Sequence, residues 1–300
     1  MKLQFLGTSA GECYPALWCN CIYCSYARKH GGRNIRLNSC AVLDEDVLID
    51  MGATCFSSAL QYGADITKIT NLFVTHDHQD HFFPQHLVWR SEPYHLGQTT
   101  DITEPVTNID LYRDAMGPRF SPIPFLHIYG HSSVLDAISA HPRLNVSTMT
   151  EKQRMDFTAL SAGQAVTPGD LTVTAVLSNH SKPGTVFNYI FQRNGKTLLY
   201  ALDCGGYTED MLALLRGFRF DCVVMEGTFG KHAKDFDFHM NQRKNLDMLA
   251  FFTDNGLWTG KPNLWLSHMA PHWTPPYDDY AKEMENYGIG VAYDGMVLSI

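Results

Sequence analysis

Three hundred residues, 45% of them hydrophobic and 18% charged, exclude a disordered chain and allow one large domain or two small ones. A formal net charge of −8 without a long Lys/Arg run argues against a nucleic-acid enzyme, and no apolar stretch approaches the length of a membrane span. Eight cysteines, three of them clustered, suit a metal clip and free thiols of a reducing compartment, so a cytoplasmic protein is expected.

Residues 2–6 read as a strand rather than a secretory leader, because no long apolar run follows them. Gly7-Thr8-Ser9-Ala10-Gly11 is a turn of small residues, of the kind that lets backbone approach a ligand. In Cys19-Asn20-Cys21-Ile22-Tyr23-Cys24, three thiolates stand close enough for one zinc. A closed tetrahedral site needs a fourth ligand, and spacing leaves Cys13, Cys40 and several histidines open. Residues 40–43 and 47–49 form a hairpin through Asp44-Glu45-Asp46 and end in Asp50-Met51-Gly52. A helix is expected over 53–62 and a strand over 71–74.

That strand feeds Thr75-His76-Asp77-His78-Gln79-Asp80-His81, and a helix follows towards Trp89. Three imidazoles and two carboxylates thus share one loop at a strand end. Neutral imidazole is the commonest protein metal ligand, and neighbouring carboxylate suits a divalent cation. His76 and His78 can aim at one ion, Asp80 and His81 at a second. Gln79 reads as a spacer and Asp77 as a residue supporting the ligands.

Periodicity fades over 92–169, where Gly117-Pro118, Pro122 and Pro124 interrupt it. A strand at 127–129 and a helix at 132–140 are the elements expected there. The segment from about 95 to 165 reads as an elaboration of a single domain spanning 1–300, and His86, His95, His127, His131 and His141 as ordinary surface or satisfied histidines. A strand over 171–177 then leads to Ser178-Asn179-His180-Ser181. A hairpin, 186–191 and 196–202, turns through Arg193-Asn194-Gly195 and ends at Asp203. Helices over 208–216, 241–253 and 277–287 alternate with strands over 221–225, 263–267 and 297–300, which fits an α/β sandwich. His180, Asp203 and His268 all stand just past strand ends.

His76-x-His78-x-Asp80-His81 resembles the signature of the metallo-β-lactamase superfamily. The resemblance implies a four-layered αββα sandwich and two divalent ions, zinc, manganese or iron, at one edge. Carried onto this chain, it gives His76, His78 and His180 to one ion, Asp80, His81 and His268 to the other, and Asp203 to both. Gly7-Thr8, the three cysteines, Ser39-Cys40 and Ser178-Asn179-His180-Ser181-Lys182 are similar to the phosphoribosyl cyclic phosphodiesterases of phosphonate degradation. That likeness implies a structural zinc on Cys19, Cys21, Cys24 and His239, the last within Phe238-His239-Met240-Asn241. It further implies hydrolysis of a small cyclic phosphodiester, with water attacking phosphorus in line and Asp80 taking part in the chemistry. A catalytic histidine follows Met225-Glu226-Gly227-Thr228 in that family; Phe229 stands there in this chain, leaving His232 and His272 as candidates. The rival readings are a hydrolase of a thioester, lactone or RNA end, and a relative of the pyrroloquinoline-quinone biosynthesis protein, whose Cys-Asn-Cys-x-x-Cys loop is very similar. The partners expected are a small phosphodiester and a second copy of the chain as a homodimer, with no membrane and no nucleic acid.

Overall fold

Alternating burial makes the first strand, β1 (Lys2–Gly7), a two-faced element whose Leu3 and Phe5 point into the molecule. The structure is a computed structural model describing residues 1–90, 123–181 and 184–300. β1 pairs antiparallel with β2 (Cys40–Leu43), which turns into β3 (Val47–Ile49). β4 (Asn71–Phe73), β5 (Leu126–Gly130) and β6 (Met155–Ala159) continue in parallel, and the last strand of the chain, β14 (Val297–Ser299), closes the other edge. The order is β14-β1-β2-β3-β4-β5-β6.

The second sheet is built from β7 (Ala165–Val166), β8 (Thr172–Leu177), β9 (Phe187–Arg193), β10 (Lys196–Ala201), β11 (Cys222–Glu226), β12 (Leu264–Ser267) and β13 (Ile289–Val291). It runs β13-β12-β11-β10-β9-β8-β7. Asn194 and Gly195 adopt positive φ (54° and 71°), which matches the twist a tight β9–β10 hairpin requires. β10 to β13 are parallel, and β11 is buried along its whole length, as its unbroken apolar run demands.

Three apolar layers alternate with these sheets. Between the sheets, Phe5, Phe73, Tyr189, Phe191 and Val224 share one core. Phe73 stacks on Tyr129 at 4.6 Å and meets Tyr189 edge-on at 5.4 Å. On the outer face of the first sheet lie α2 (Cys55–Tyr62), α3 (Gln85–Val88), α4 (Ser132–Ala140) and α5 (Met149–Lys152), each giving buried residues to a second core. On the outer face of the second lie α6 (Glu209–Leu215), α7 (Gln242–Asp254) and α8 (Tyr277–Glu285). The result is the αββα sandwich expected. Among the described residues no helix is long and apolar enough to cross a membrane.

Two expectations change. Residues 126–159 are not an elaboration: β5, α4 and β6 extend the first sheet by parallel pairing. Residues 95–122 of that segment, His95 among them, lie outside the described residues. A helix, α1 (Ile22–His30), follows the cysteine cluster, with the Cys21 side chain accepting from the Cys24 amide at its N-terminus. All eight cysteines are free thiols.

A buried polar link fastens the turn after β1 to the chain after β13. Arg36 donates to Thr8 Oγ1 and to the Ala292 carbonyl, both at 2.7 Å. Asp294 accepts from Thr8 Oγ1 at 2.6 Å and the Leu37 amide at 2.7 Å.

Candidate metal centre and cleft

The ends of β4, β8, β10 and β12 meet along one edge of the sandwich, and each delivers polar side chains there. The loop after β4 is shaped by Asp50, the residue that ends β3. Its buried carboxylate accepts from the Thr75 amide at 2.8 Å and from His81 Nδ1 at 2.7 Å. The backbone of the loop is pinned by Met51 N to His81 O (2.7 Å) and Ala53 N to Gln79 O (3.2 Å). Gly52 is required, because a Cβ there would sit 1.9 Å from the Asp80 carbonyl oxygen. The small-residue turn after β1 does reach this loop: a Cβ on Gly11 would lie 3.4 Å from Asp80 Oδ2.

Partners at Nδ1 orient the imidazoles. His81 Nδ1 faces Asp50, His76 Nδ1 faces Thr75 Oγ1 (3.1 Å), His180 Nδ1 donates to the Phe238 carbonyl (2.8 Å), and His268 Nδ1 faces Thr228 Oγ1 (2.9 Å). A proton held at Nδ1 leaves the Nε2 lone pair free, the tautomer a metal ligand needs. Asp50, Asp203 and His268 all adopt left-handed φ (61°, 50° and 57°), uncommon for residues with a Cβ.

These free atoms converge. Asp203 Oδ2 is 2.7 Å from His81 Nε2 and 3.3 Å from His76 Nε2, while its Oδ1 is 3.3 Å from His268 Nε2. Asp80 Oδ2 lies 3.3 Å from His81 Nε2 and 3.6 Å from His268 Nε2. His81 and His268 bring their Nε2 atoms to 3.1 Å. Among the described residues the ligand atoms gather in overlapping groups: His76 with His78 and His180, Asp80 with His81, Asp203 and His268, His180 and Asp203 with His239, and Glu226 and His268 with His239. His76 Nε2 and His180 Nε2 are buried without a hydrogen-bond partner. A buried acceptor with no donor is costly, and so are facing imidazole lone pairs, unless a cation lies between them. Burial depresses the pKa of both His76 and His180, keeping them neutral. Burial also opposes ionisation of Asp80 and Asp203, but His81 and His268 outweigh it and hold both carboxylates well below their usual range. Burial opposes charge on His81, but Asp203, Asp80 and Asp50 outweigh it and raise its pKa well above the usual imidazole range, so a cation bound there would displace a proton. Once that proton is lost, neutral imidazoles and ionised carboxylates are the donor set that fits zinc, manganese or iron.

His239 occupies a different place from the one expected. It lies in this cleft, with Nδ1 2.9 Å from Glu226 Oε2 and 3.4 Å from Asp203 Oδ1, rather than beside the cysteines. Glu226 is fully buried at the end of β11. Burial opposes charge on the His239 ring, but Glu226 and Asp203 outweigh it and raise its pKa to about 9. The reason for the placement is the loop before α7, which is tied to the cleft through Asn179 Nδ2 to Asp237 O and His180 Nδ1 to Phe238 O.

The sulfurs of Cys19, Cys21 and Cys24 do form one group. The histidine beside them is His272, whose Nδ1 is 3.5 Å from Cys19 Sγ and whose Nε2 is 2.7 Å from Glu12 Oε2. His272 therefore stands at the cysteine cluster and not at the cleft. Burial opposes a thiolate on Cys21, but the Cys24 amide, Cys19 and His272 lower its pKa to about 7. Cys40 instead contacts Cys55, Sγ to Sγ 3.5 Å. His232 packs against the Trp273 and Phe236 rings at 4.4 and 5.0 Å and belongs to none of the metal-binding groups among the described residues. Asp77 is exposed, and the carboxylate supporting His81 is Asp50. His127, His131 and His141 pair with Asp156, the Ser133 amide and Gln85.

Three cleft residues were not singled out from sequence: Asp50, Glu226 and Thr228. The signal for Asp50 and Glu226 is a carboxylate at the end of an apolar strand with glycine one or two residues on, a position where burial is expected and an unpaired charge is costly.

Residues 46–269 match the family model described as a beta-lactamase superfamily domain. No curated protein matches the sequence. Among solved structures the chain is similar to zinc-bound PqqB from Methylobacterium extorquens, at 18% identity and TM-score 0.71 over 100% of each chain. It is similar to a diphosphatase of the PhnP family at 18% identity and TM-score 0.66, covering 99% of this chain and 96% of that one. Human short-form tRNase Z matches at 19% identity and TM-score 0.61, over 100% of this chain and 99% of the other. At such identities these likenesses concern the fold.

Proposed function

This chain belongs to the beta-lactamase superfamily, whose model spans residues 46–269, and from that premise we propose that it is a metal-dependent phosphodiesterase acting on a small cyclic phosphate such as a phosphoribosyl 1,2-cyclic phosphate. The observation that carries this reading is the Glu226–His239 pair, Oε2 to Nδ1 2.9 Å, standing beside the convergent metal-ligand atoms. Cleaving a phosphodiester requires a proton for the departing alkoxide, and an imidazolium fixed by a buried carboxylate supplies one.

His76, His78 and His180 would hold one cation, Asp80, His81 and His268 the other, with Asp203 shared between them. The bound cations supply Lewis acidity and offset charge on the phosphate oxygens. Asp203, touching histidines of both groups, keeps the two sets of ligands in register. Asp80, held ionised by His81 and His268, accepts a hydrogen bond from the attacking water and orients it, the proton leaving to solvent. His239, its Nδ1 proton fixed on Glu226, presents Nε2 to the leaving oxygen, a contribution of about 10²–10⁴-fold. Cys19, Cys21, Cys24 and His272 would hold a structural zinc that ties the N-terminal loop to the segment after β12. The diphosphatase among the structural neighbours is consistent with phosphorus chemistry in this fold.

The test is turnover by the full chain reconstituted with zinc or manganese. The substrates are phosphoribosyl 1,2-cyclic phosphate, cyclic nucleotides and bis(p-nitrophenyl) phosphate, set against a thioester and a lactone. Hydrolysis of a phosphodiester, abolished in Asp203→Ala with the fold intact, is the expected result. Turnover confined to the thioester or lactone would sink the reading.

A further inference from the structure

A wall of aromatic rings begins at His239 and continues through Phe229 to Phe238 and Trp273. The Phe229 ring lies 5.3 Å from His239, 5.8 Å from Phe238 and 6.4 Å from Trp273, and Phe238 itself lies 5.4 Å from His239. Phe238 and Trp273 remain 46% and 41% exposed. Large apolar rings left in water next to a reactive centre are unfavourable for the free protein, so a role in holding a ligand is the physical reading.

The wall is preformed. Phe229 N donates to Met240 O at 3.0 Å, and Lys231 N donates to Trp273 O at 3.1 Å, so the two loops that carry the rings are stitched together. Gly230 adopts φ 34°, and a Cβ on it would lie 2.7 Å from the Trp273 carbonyl oxygen; the close approach of the loops depends on its being glycine. The Phe238 carbonyl meanwhile accepts from His180 Nδ1, which fixes the end of the wall against the metal-ligand cluster.

We infer that Phe238 and Trp273 form a stacking subsite for a flat aromatic group carried by the phosphate ester, so that the organic part of the substrate is nucleotide-like. This rests on the phosphodiesterase reading for the phosphate and adds the group attached to it. With His239 reaching the leaving oxygen, the ester substituent lies on the His239 side, and that is where the rings stand. Stacking on an aromatic side chain is tolerant of base identity, because every base has a π-face. A bare sugar phosphate, phosphoribosyl 1,2-cyclic phosphate included, would leave the wall uncovered, so the subsite narrows the small cyclic phosphates proposed above to those that carry an aromatic group. The shared chemistry is an aromatic ring beside a phosphate, which either a nucleobase or a simple aryl ester provides.

Calorimetric binding of AMP, ribose 5-phosphate and phenyl phosphate to the zinc-reconstituted protein tests the subsite without requiring turnover. AMP should bind about tenfold more tightly than ribose 5-phosphate, the scale of one base stack. Phe238→Ala, which keeps the backbone carbonyl, should remove that advantage while leaving ribose 5-phosphate affinity unchanged, and Phe238→Tyr should restore it. Phenyl phosphate binding as tightly as AMP supports the subsite and makes it one for aryl esters generally; weaker binding assigns it to nucleobases. Equal affinity of the wild type for AMP and ribose 5-phosphate overturns the subsite, as does an equal loss for both ligands in Phe238→Ala. If AMP binding depends on Phe238 but no cyclic phosphate is hydrolysed, the subsite stands and the phosphodiesterase reading falls.

Discussion

Asp50 and His81 form a fully buried pair, Oδ2 to Nδ1 2.7 Å, directly beneath the cleft. The carboxylate fixes the His81 tautomer and also anchors the Thr75 amide at the start of the loop. Asp50→Ala is therefore expected to weaken cleft metal binding by about 10–100-fold, the usual cost of losing such a support. Competition with a chromogenic chelator measures it. Wild-type metal affinity in this variant would show that the loop holds His81 unaided.

His239→Ala should lower kcat on a phosphodiester by about 10²–10⁴-fold. Because His239 faces Glu226 and Asp203 and not the cysteines, elemental analysis should find the metal content of the cysteine cluster unchanged. Loss of that zinc, with kcat preserved, would return His239 to the role first expected for it.

His272→Ala makes the complementary case. Its Nδ1 is the imidazole atom beside Cys19 Sγ, and a structural zinc contributes folding energy directly. One zinc per chain should be lost and the melting temperature should fall, with Cys21→Ser doing the same. Full zinc content at an unchanged melting temperature in His272→Ala would mean that another residue closes the site.

Burial pushes the Asp294 carboxyl up to about 6, against its hydrogen bonds from Thr8 and Leu37 and the nearby Arg36 charge. The folded protein thus binds this proton more readily than the unfolded chain. Through this group, stability rises as pH falls from about 6 to about 4, and above the folded pKa the buried charge is a standing cost. Asp294→Asn lacks the effect. The melting temperature of the wild type relative to the variant should therefore increase towards acid across that window. A flat or opposite slope in that difference would show that Asp294 is ionised throughout.

Much of the site was legible because it is local. His76, His78, Asp80 and His81 share one loop, and His180, Asp203 and His268 each follow an apolar strand; spacing marks them as candidates, and the resemblance to the superfamily is what joins them at one edge of a sandwich. The choice between His239 and His272 was not legible. It depends on the hydrogen bonds of Asn179 and His180 to the 237–238 backbone, contacts across 58 residues that leave no period in the sequence. The helix α1 was hidden for another reason: only Cys24 and Ala27 of it are buried, too few for an amphipathic stripe to show. β6 and β13 escaped notice because one is a partly exposed edge strand and the other has three residues with glycine at its centre.

The ligands of the cleft are divided between the two sheets: His76, His78, Asp80 and His81 follow β4 of the first, while His180, Asp203 and His268 follow strands of the second. Each cation bound as proposed would be a cross-link between halves of the sandwich, and binding would be thermodynamically linked to how tightly those halves close. The aromatic packing of Phe73, on the first sheet, against Tyr189 and Phe191, on the second, then bears on the affinity of a centre it never touches. Loosening that seam should register first as easier stripping of metal by a chelator, before any melting transition moves.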